Sequence, residues 1–335
     1  MTGSGMTVSG GAASDATPPL MLRHVKKHFG DFIAVADLSF KVPKGAIYGI
    51  LGPNGAGKTT TLRMINNILV PDAGDVVFFG DLPPGTESSK RIGYLPEERG
   101  LYSKETVKDV LVFFGQLRGL SKPDSKKGAD EWIGKLTISD WANERVENLS
   151  KGMQQKVQFA TALIHKPELL ILDEPWSGLD PINAQVLRDA VLEQKKQGKT
   201  VLFSTHLMEH AEEICDEVCI LAKGKKILDG PLDELKRKEG GGRFVELRPA
   251  DNSSQKALLA FLQQKKEWVE EVSVESGHVR CLLSQDGMQY SFMREVALLD
   301  IKLQKLEAYE PSLRDVFVKH VGELANTDVV GRQVE

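Results

Sequence analysis

The sequence predicts an α/β fold with parallel strands, followed by a smaller α+β domain. Three observations support this prediction. From residue 21 to about residue 230, short apolar runs typical of strands alternate with helical patterns, as in parallel α/β sheets. A glycine-rich segment, Gly52–Thr59, joins one such strand to a helix. After Gly240-Gly241-Gly242 the pattern changes to a shorter alternation of strands and helices.

The larger part, residues 20–239, is expected to form one domain. Its apolar runs predict strands over residues 32–36, 38–42, 46–51, 75–79, 92–95, 169–172, 200–204 and 218–221. Its helical patterns predict helices over residues 106–117, 124–136 and 150–164.

Residues 243–322 are expected to form the smaller accessory domain. Strands are predicted over residues 244–247, 269–274, 279–283 and 301–306, and helices over residues 255–263, 290–299 and 312–321. Taken in chain order, the first six of these elements follow the pattern βαββαβ, which is typical of a ferredoxin-like fold.

The composition excludes several classes of protein. The 335 residues are 41% hydrophobic and 27% charged, as in a globular protein with a sizeable core. A net charge of -4 gives no general attraction to nucleic acid. No stretch approaches the roughly 18 apolar residues of a membrane-spanning helix. We therefore expect that the chain is not itself a membrane channel.

The chain ends and the cysteines carry little functional signal. Residues 1–19 are expected to be a disordered tail and residues 323–335 a second tail. The first tail lacks the basic start and apolar core of a secretory signal. The three cysteines, Cys215, Cys219 and Cys281, form no even disulfide set, which favours reduced thiols. Cys215 and Cys219 have the spacing of a metal pair on a helix, but their apolar neighbours favour small core residues.

The strongest motif is the segment Gly52–Thr59, called here the glycine loop. It fits G-x-x-x-x-G-K-[ST], which binds phosphates through backbone N–H groups and the start of a helix. In such a loop Lys58 reaches the β- and γ-phosphates and Thr59 binds Mg²⁺. A tight turn with a coincidental lysine is the alternative. The predicted phosphate-binding residues are Gly52, Pro53, Asn54, Gly55, Ala56, Gly57, Lys58, Thr59 and Thr60.

A second motif, Leu169-Leu170-Ile171-Leu172-Asp173-Glu174, ends a buried strand in two carboxylates. Open α/β sheets bind ligands at the carboxyl ends of their strands. Asp173 is therefore a candidate Mg²⁺ ligand, because hard cations prefer oxygen. Glu174 is the candidate base for the water that attacks a γ-phosphate. Two solvated acids at the end of a strand are the alternative.

The third motif is Leu149-Ser150-Lys151-Gly152-Met153-Gln154-Gln155. Ser150 suits the N-cap of a helix and Gly152 permits close approach in its first turn. This start would be a second anion-binding helix end. Because the glycine loop already binds phosphates, the second site suggests a nucleotide from another copy. By itself the motif is weak, and an ordinary helix start would be the better explanation.

In their order and spacing these motifs, with Ser177-Gly178-Leu179-Asp180 and His206, resemble an ABC ATPase subunit over about residues 20–235. The resemblance implies that Ser150 and Gly152 contact the γ-phosphate of ATP held by the opposing subunit. It implies that Asp180 lies at the dimer seam and that His206 senses the γ-phosphate. Phe29 resembles the aromatic that stacks on adenine, with an ordinary core phenylalanine as the alternative.

Two positions depart from the family pattern. Glu97 stands where glutamine is usual, and the resemblance implies a role in binding Mg²⁺ or orienting water. Lys151 stands where glycine is usual, which leaves Ser150 and Gly152 in place.

The tract Gly93–Tyr102, the added C-terminal domain and Tyr309–Phe317 are similar to type-2 ABC exporters, the sodium-extrusion and drug-export group. The resemblance implies an ATP- and Mg²⁺-dependent ATPase that powers a separate integral-membrane permease. The expected partners are that permease and a second ATPase subunit, as a homodimer, but no nucleic acid. The expected location is cytoplasmic, peripheral on the inner face of the cell membrane. The alternatives are a non-transport ABC ATPase acting on nucleic acid or ribosomes, and an accessory domain that senses a ligand or oligomerises.

Overall fold

The computed structural model describes residues 17–98, 100–240, 243–275, 277–317 and 320. The strands are β1 (Leu20–Phe29), β2 (Phe32–Val42), β3 (Ile47–Leu51), β4 (Ala73–Phe78), β5 (Ile92–Leu95), β6 (Leu169–Asp173), β7 (Thr200–Thr205), β8 (Glu217–Ala222), β9 (Lys225–Pro231), β10 (Phe244–Pro249), β11 (Val269–Glu275), β12 (His278–Leu283) and β13 (Leu303–Ala308).

The α-helices are α1 (Lys58–Ile65), α2 (Thr86–Ser89), α3 (Val107–Leu117), α4 (Lys122–Lys135), α5 (Lys151–Leu163), α6 (Pro181–Lys196), α7 (Met208–Ile214), α8 (Leu232–Gly240), α9 (Asn252–Gln264) and α10 (Gln289–Ala297). Two short 3₁₀ helices cover Ser139–Trp141 and Val146–Asn148. None of the helices in the described ranges has the length and apolarity needed to cross a bilayer.

Three sheets organise these strands. Six of them form one sheet in the order β5-β6-β7-β3-β8-β9, in which β5 is parallel to β6 and β8 is antiparallel to β9. A three-stranded antiparallel sheet has the order β2-β1-β4. The alternation of strands and helices therefore confirms the predicted α/β class.

The Cα positions divide the chain into two compact units. The first contains the residues up to Tyr48 together with Thr59–Phe203, and the second contains Gly49–Lys58 and the residues from Ser204 onward. This division differs from the domains expected over residues 20–239 and 243–322, whose limits stay a prediction. The expected tails lie almost wholly outside the described residues, as do Gly241 and Gly242.

In the first unit, β5 lies unusually close to α5. A Cβ atom at Gly93 would lie 2.0 Å from the carbonyl oxygen of Ala162, which no real side chain could tolerate. Residues of α5 such as Val157 and Phe159 are fully buried. Strand β5, at one edge of the six-stranded sheet, is therefore packed tightly against α5.

The sequence-based prediction lacks several elements of this unit, and the two longest of them are β1 and α6. In β1 the pairing with β2 shifts register between Leu22 and Val25 and again beyond Val25, so a regular alternation is lost. In contrast, α6 has a clear start signal, because Asp180 is its N-cap and Pro181 its first residue.

The predicted strands over residues 32–36 and 38–42 are one continuous strand, β2. The polar residue that separates them in the sequence, Asp37, stays in the strand. Its carboxylate lies 3.0 Å from Nδ1 of His24 on β1. A cross-strand polar pair thus keeps Asp37 within a strand that the hydrophobic pattern alone divides.

In the second unit, β10–β13 form a fully antiparallel sheet in the order β11-β12-β10-β13. Helices α9 and α10 cover one face, and their apolar residues form the core with that sheet: Leu258, Leu262, Phe292 and Val296. The predicted βαββαβ order is confirmed for residues 244–308. Of the predicted closing helix, residues 313–317 are helical, and residues 318, 319 and 321 lie outside the described residues.

Candidate nucleotide-binding site

The glycine loop follows the fully buried strand β3 and leads into α1, which begins at Lys58. Gly55 has a φ of 80° and Gly57 a φ of 103°, a left-handed conformation that favours glycine. Gly52 is also excluded from bearing a side chain, because a Cβ atom there would lie 2.2 Å from the carbonyl oxygen of Leu221. Backbone geometry and packing therefore both require glycine in this loop.

Hydrogen bonds close the loop around its lysine. The Lys58 ammonium donates to the carbonyl oxygens of Gly52 at 2.8 Å and Pro53 at 3.2 Å. The N–H of Ala56 donates to the carbonyl of Pro53, and the N–H of Gly224 donates to the carbonyl of Ala56. Lys58 is only 6% exposed. A cationic donor is thus held beside the backbone N–H groups, the arrangement that a phosphate chain needs.

Two other loop positions, Asn54 and Thr60, have no structural constraint of this kind. Asn54 is exposed and Thr60 is half-buried at the start of α1. Their predicted contacts with phosphate remain predictions.

The candidate Mg²⁺ ligands Thr59 and Asp173 are brought together. The Thr59 hydroxyl donates to Oδ1 of Asp173 at 3.5 Å, and Asp173 is 1% exposed at the end of β6. A hydroxyl beside a buried carboxylate fits a magnesium ion, which binds few protein oxygens and keeps water and phosphate as its other ligands. Within the described ranges no cluster of three or more His, Cys, Asp or Glu side chains offers a metal site built from protein alone.

Glu97 lies exposed on the loop after β5. Burial and the charge of Asp173 raise the pKa of Tyr94 on β5 to about 12, and the charge of Glu97 adds to this effect. Both carboxylates therefore act on the same phenol. Glu97 is in the region of Asp173, but its role as a ligand stays a prediction.

A glutamine that the sequence analysis missed holds the Glu97 loop. The side-chain amide of Gln158, buried on α5, donates to the carbonyl oxygens of Pro96 at 3.2 Å and Glu98 at 3.0 Å. These two acceptors flank Glu97 on either side. A single glutamine inside a helical pattern gives no sequence signal for such a contact.

The candidate base Glu174 sits in a strained turn directly after β6. Its φ is 46°, and a left-handed non-glycine residue is unfavourable by about 1–3 kcal/mol. The turn is fixed by the amide of Gln155, which donates to the carbonyl of Pro175 at 3.3 Å. It is also fixed by the buried indole of Trp176, which packs edge-on against Phe203 with ring centroids 4.8 Å apart. Packing therefore holds the carboxylate at a defined place.

The start of α5 has the predicted cap. Ser150 is the N-cap of α5, and its hydroxyl accepts a hydrogen bond from the N–H of Met153 at 3.3 Å. Asp180 caps α6 in the same way, accepting from the N–H groups of Ile182 and Asn183. These backbone bonds, that of Asn183 first, lower the pKa of Asp180, so the carboxylate is ionised at neutral pH.

The two remaining candidates, His206 and Phe29, are exposed. His206 follows the last residue of β7. Phe29 is 49% exposed at the end of β1, directly before the turn at Gly30. The Lys27 ammonium lies 5.7 Å from the centroid of the Phe29 ring. Stacking of this ring on adenine stays a prediction.

The cysteines behave as small core residues. Cys219 and Cys281 are buried, and Cys215 lies against Gly49 of β3, where a Cβ atom would be 2.8 Å from its sulfur. Burial raises the pKa of the Cys281 thiol to about 12, so this thiol is neutral at physiological pH.

Together these features define a P-loop ATPase. A buried strand leads into a glycine loop, and Lys58 is the first residue of the next helix. A second strand ends at Asp173, whose carboxylate lies beside Thr59, the residue after that lysine. The sequence matches the ABC transporter family over residues 35–177. It also matches the C-terminal domain of DrrA1-3-like ATP-binding proteins over residues 230–321.

Two transporter proteins match 90% of this chain, and a solved structure matches 66% of it. It is 44% identical to the ABC transporter ATP-binding protein YhaQ of Bacillus subtilis, over 90% of this chain and 98% of YhaQ. It is 32% identical to the linearmycin resistance ATP-binding protein LnrL of the same species, over 90% of this chain and 98% of LnrL. A solved ATP-binding subunit of an ABC transporter superposes with a TM-score of 0.62 and 30% identity, covering 66% of this chain and 93% of that chain.

The chain belongs to the ATP-binding proteins of ABC transporters. The predicted class, an ATPase that binds and hydrolyses ATP, is confirmed by this membership. The roles of the individual residues are taken up as proposals below.

We predict that Lys58→Ala weakens ATP binding by about tenfold to a hundredfold, because a charged hydrogen bond contributes roughly 1.5–3 kcal/mol. Fluorescent-nucleotide titration measures this change. Lys225→Ala removes an exposed lysine and serves as the control, with unchanged affinity. Equal affinity of the Lys58 variant and the parent would show that Lys58 does not bind phosphate.

We predict that Phe29→Ala weakens ATP binding about tenfold, because stacking on a base is worth about 1–3 kcal/mol. Binding of inorganic tripolyphosphate, which has no base, should not change. Phe32→Ala on the same hairpin, 62% exposed, is the matched control and should bind ATP normally. A loss of tripolyphosphate binding in the Phe29 variant would instead indicate damage to the glycine loop.

Proposed function

We propose that this chain is the ATP-hydrolysing subunit of an exporter, and that two copies of it hold two ATP molecules between them. The glycine loop of one copy would bind the phosphates, and Ser150 and Gly152 of the other copy would bind the same γ-phosphate. Closure of the pair would drive a separate integral-membrane permease at the inner face of the cell membrane, and hydrolysis would let the pair reopen.

The observation that carries this proposal is the presence of two phosphate-suited helix starts in a chain with one glycine loop. The first is α1, which opens at Lys58. The second is the thirteen-residue helix α5, capped by Ser150, whose early N–H groups carry the positive end of a helix dipole. A second phosphate-binding helix start has a use if another copy supplies the nucleotide.

The residues after β6 support the hydrolytic half of the proposal. Thr59 and Asp173 would hold a magnesium ion, with Glu97 as a further oxygen ligand, and the ion would supply positive charge to the β- and γ-phosphates. Glu174, fixed by its turn, would accept hydrogen bonds from the attacking water and orient it. His206, exposed after β7, would respond to the presence of the γ-phosphate.

Export as the direction of transport is supported by the relatives. LnrL is a linearmycin resistance protein. The Nod factor export ATP-binding protein I of Ralstonia nicotianae is 36% identical over 77% of this chain and 81% of its own length. These relatives are transporter subunits, which favours transport over the alternative of an ATPase acting on nucleic acid or ribosomes.

We predict that Glu174→Gln abolishes phosphate release and makes two copies pair stably when ATP is present, because ATP binding persists while water activation is lost. Light scattering after size-exclusion chromatography measures the pairing. Glu234→Gln, an exposed change on α8, should leave turnover and pairing as in the parent. Normal phosphate release from the Glu174 variant would disprove the assignment of Glu174.

We also predict that a multi-span membrane protein co-purifies with a tagged form of this chain from detergent-solubilised membranes of its own cells. Mass spectrometry of the complex identifies the subunits. Adding ATP to the Glu174→Gln form should increase recovery of a complex with two copies of this chain per permease. Recovery of ribosomal proteins or DNA in place of a permease would favour the alternative function.

A further inference from the structure

The glycine in the Ser150–Gly152 turn, called here the signature turn, is required by a neighbour within the same chain. A Cβ atom at Gly152 would lie 2.9 Å from Nδ2 and 3.4 Å from Cγ of Asn183. Gly152 lies within α5. It is not among the described glycines that have a left-handed φ. The requirement is therefore one of space and not of backbone conformation.

The side chain of Asn183 can move away from Gly152 only by giving up a hydrogen bond. Its Nδ2 donates to Oδ2 of Asp180 at 2.6 Å, and its backbone N–H donates to Oδ1 of the same carboxylate at 3.0 Å. The second bond is part of the cap of α6. The side-chain nitrogen that donates to Asp180 is thus also the atom nearest the Cβ position of Gly152.

A charge attraction adds to this contact between α5 and α6. Lys156 lies one turn beyond Gly152 on α5 and is 5% exposed. Burial lowers the pKa of Lys156, and the negative charge of Asp180 opposes that effect. The Asp180 carboxylate therefore holds the Asn183 amide beside α5, and its negative charge favours the protonated form of Lys156.

We propose that Asn183 is a positioning residue that sets the spacing between the signature turn and Asp180. The proposal rests on the proposed function in one respect, since Ser150, Gly152 and Asp180 are taken to face the second copy. The signature turn and Asp180 would then meet that copy with a fixed spacing between them, because the Asn183 amide fills the gap.

This account differs from one in which Gly152 is glycine only so that the nucleotide of the second copy can approach. The two accounts predict opposite changes in a nucleotide-free single copy. An alanine that meets no neighbour in a helix stabilises the protein, because alanine is the better helix former. An alanine that collides with a fixed amide destabilises it.

The test compares melting temperatures of four nucleotide-free proteins with their parent. Gly134→Ala, on α4 with no atom within 4 Å of its Cβ position, is the control and should raise the melting temperature by about 2 °C. Gly152→Ala should lower it by about 3 °C or more. Asn183→Ala alone should lower it slightly. Gly152→Ala added to Asn183→Ala should raise it, as in the control.

A rise in melting temperature for Gly152→Ala in both backgrounds would overturn the proposal, because the amide would then exert no pressure on position 152. A fall of equal size in both backgrounds would also overturn it, because some other group would be the neighbour that matters.

The positioning role has its own measurement in the Glu174→Gln protein. Asn183→Ala should raise the ATP concentration for half-maximal pairing about tenfold, while ATP affinity of a single copy stays unchanged. Gln185→Ala, which removes another amide on the exposed part of α6, is the control and should not move the pairing midpoint. An unchanged midpoint in the Asn183 variant would reduce Asn183 to a packing residue and overturn the positioning role.

The two measurements separate the inference from the function on which it rests. Failure of the Glu174→Gln protein to pair with any concentration of ATP would show that the proposed function is wrong. The melting temperatures alone would then decide for or against the contact between Gly152 and Asn183.

Discussion

The site depends on a carboxylate buried at the end of an apolar strand. Four residues of β6, Leu169–Leu172, are almost completely buried, and Asp173 follows them at 1% exposure. Burying a charge is strongly unfavourable unless polar groups or a cation compensate it. The Thr59 hydroxyl supplies one such group, and the glycine loop brings Thr59 to this place by starting α1 directly beforehand. The strand, the glycine loop and the buried carboxylate are therefore parts of one electrostatic problem.

The features that depend on neighbours in the sequence could be predicted. Three features each lie within a few consecutive residues, so their chemistry could be predicted without knowing the fold. They are the glycine loop, the Ser150 cap and the acidic end of β6. The order of strands and helices over residues 244–308 was also legible, because each element there has a clear hydrophobic period.

The contacts that fix these motifs in place could not be predicted. Gln158 supports the Glu97 loop from a helix about sixty residues away, and Trp176 fixes the Glu174 turn against Phe203. Asn183 on α6 lies next to Gly152 on α5. Such side chains look like ordinary polar or aromatic residues in a sequence, and only the tertiary fold gives them a partner. Strand β1 was hidden for a related reason, since register shifts against β2 break its alternation.

If Glu174 orients the attacking water, as proposed, its strained turn is stability given up for chemistry. An asparagine or glycine would adopt its left-handed backbone more easily, so a chain selected for folding alone would not keep glutamate there. The aromatic contact of Trp176 offsets part of that penalty. Under the proposed role, a screen of this protein for heat resistance would yield variants at position 174 that withstand heating but no longer hydrolyse ATP, so a library for stable, active protein would keep glutamate there.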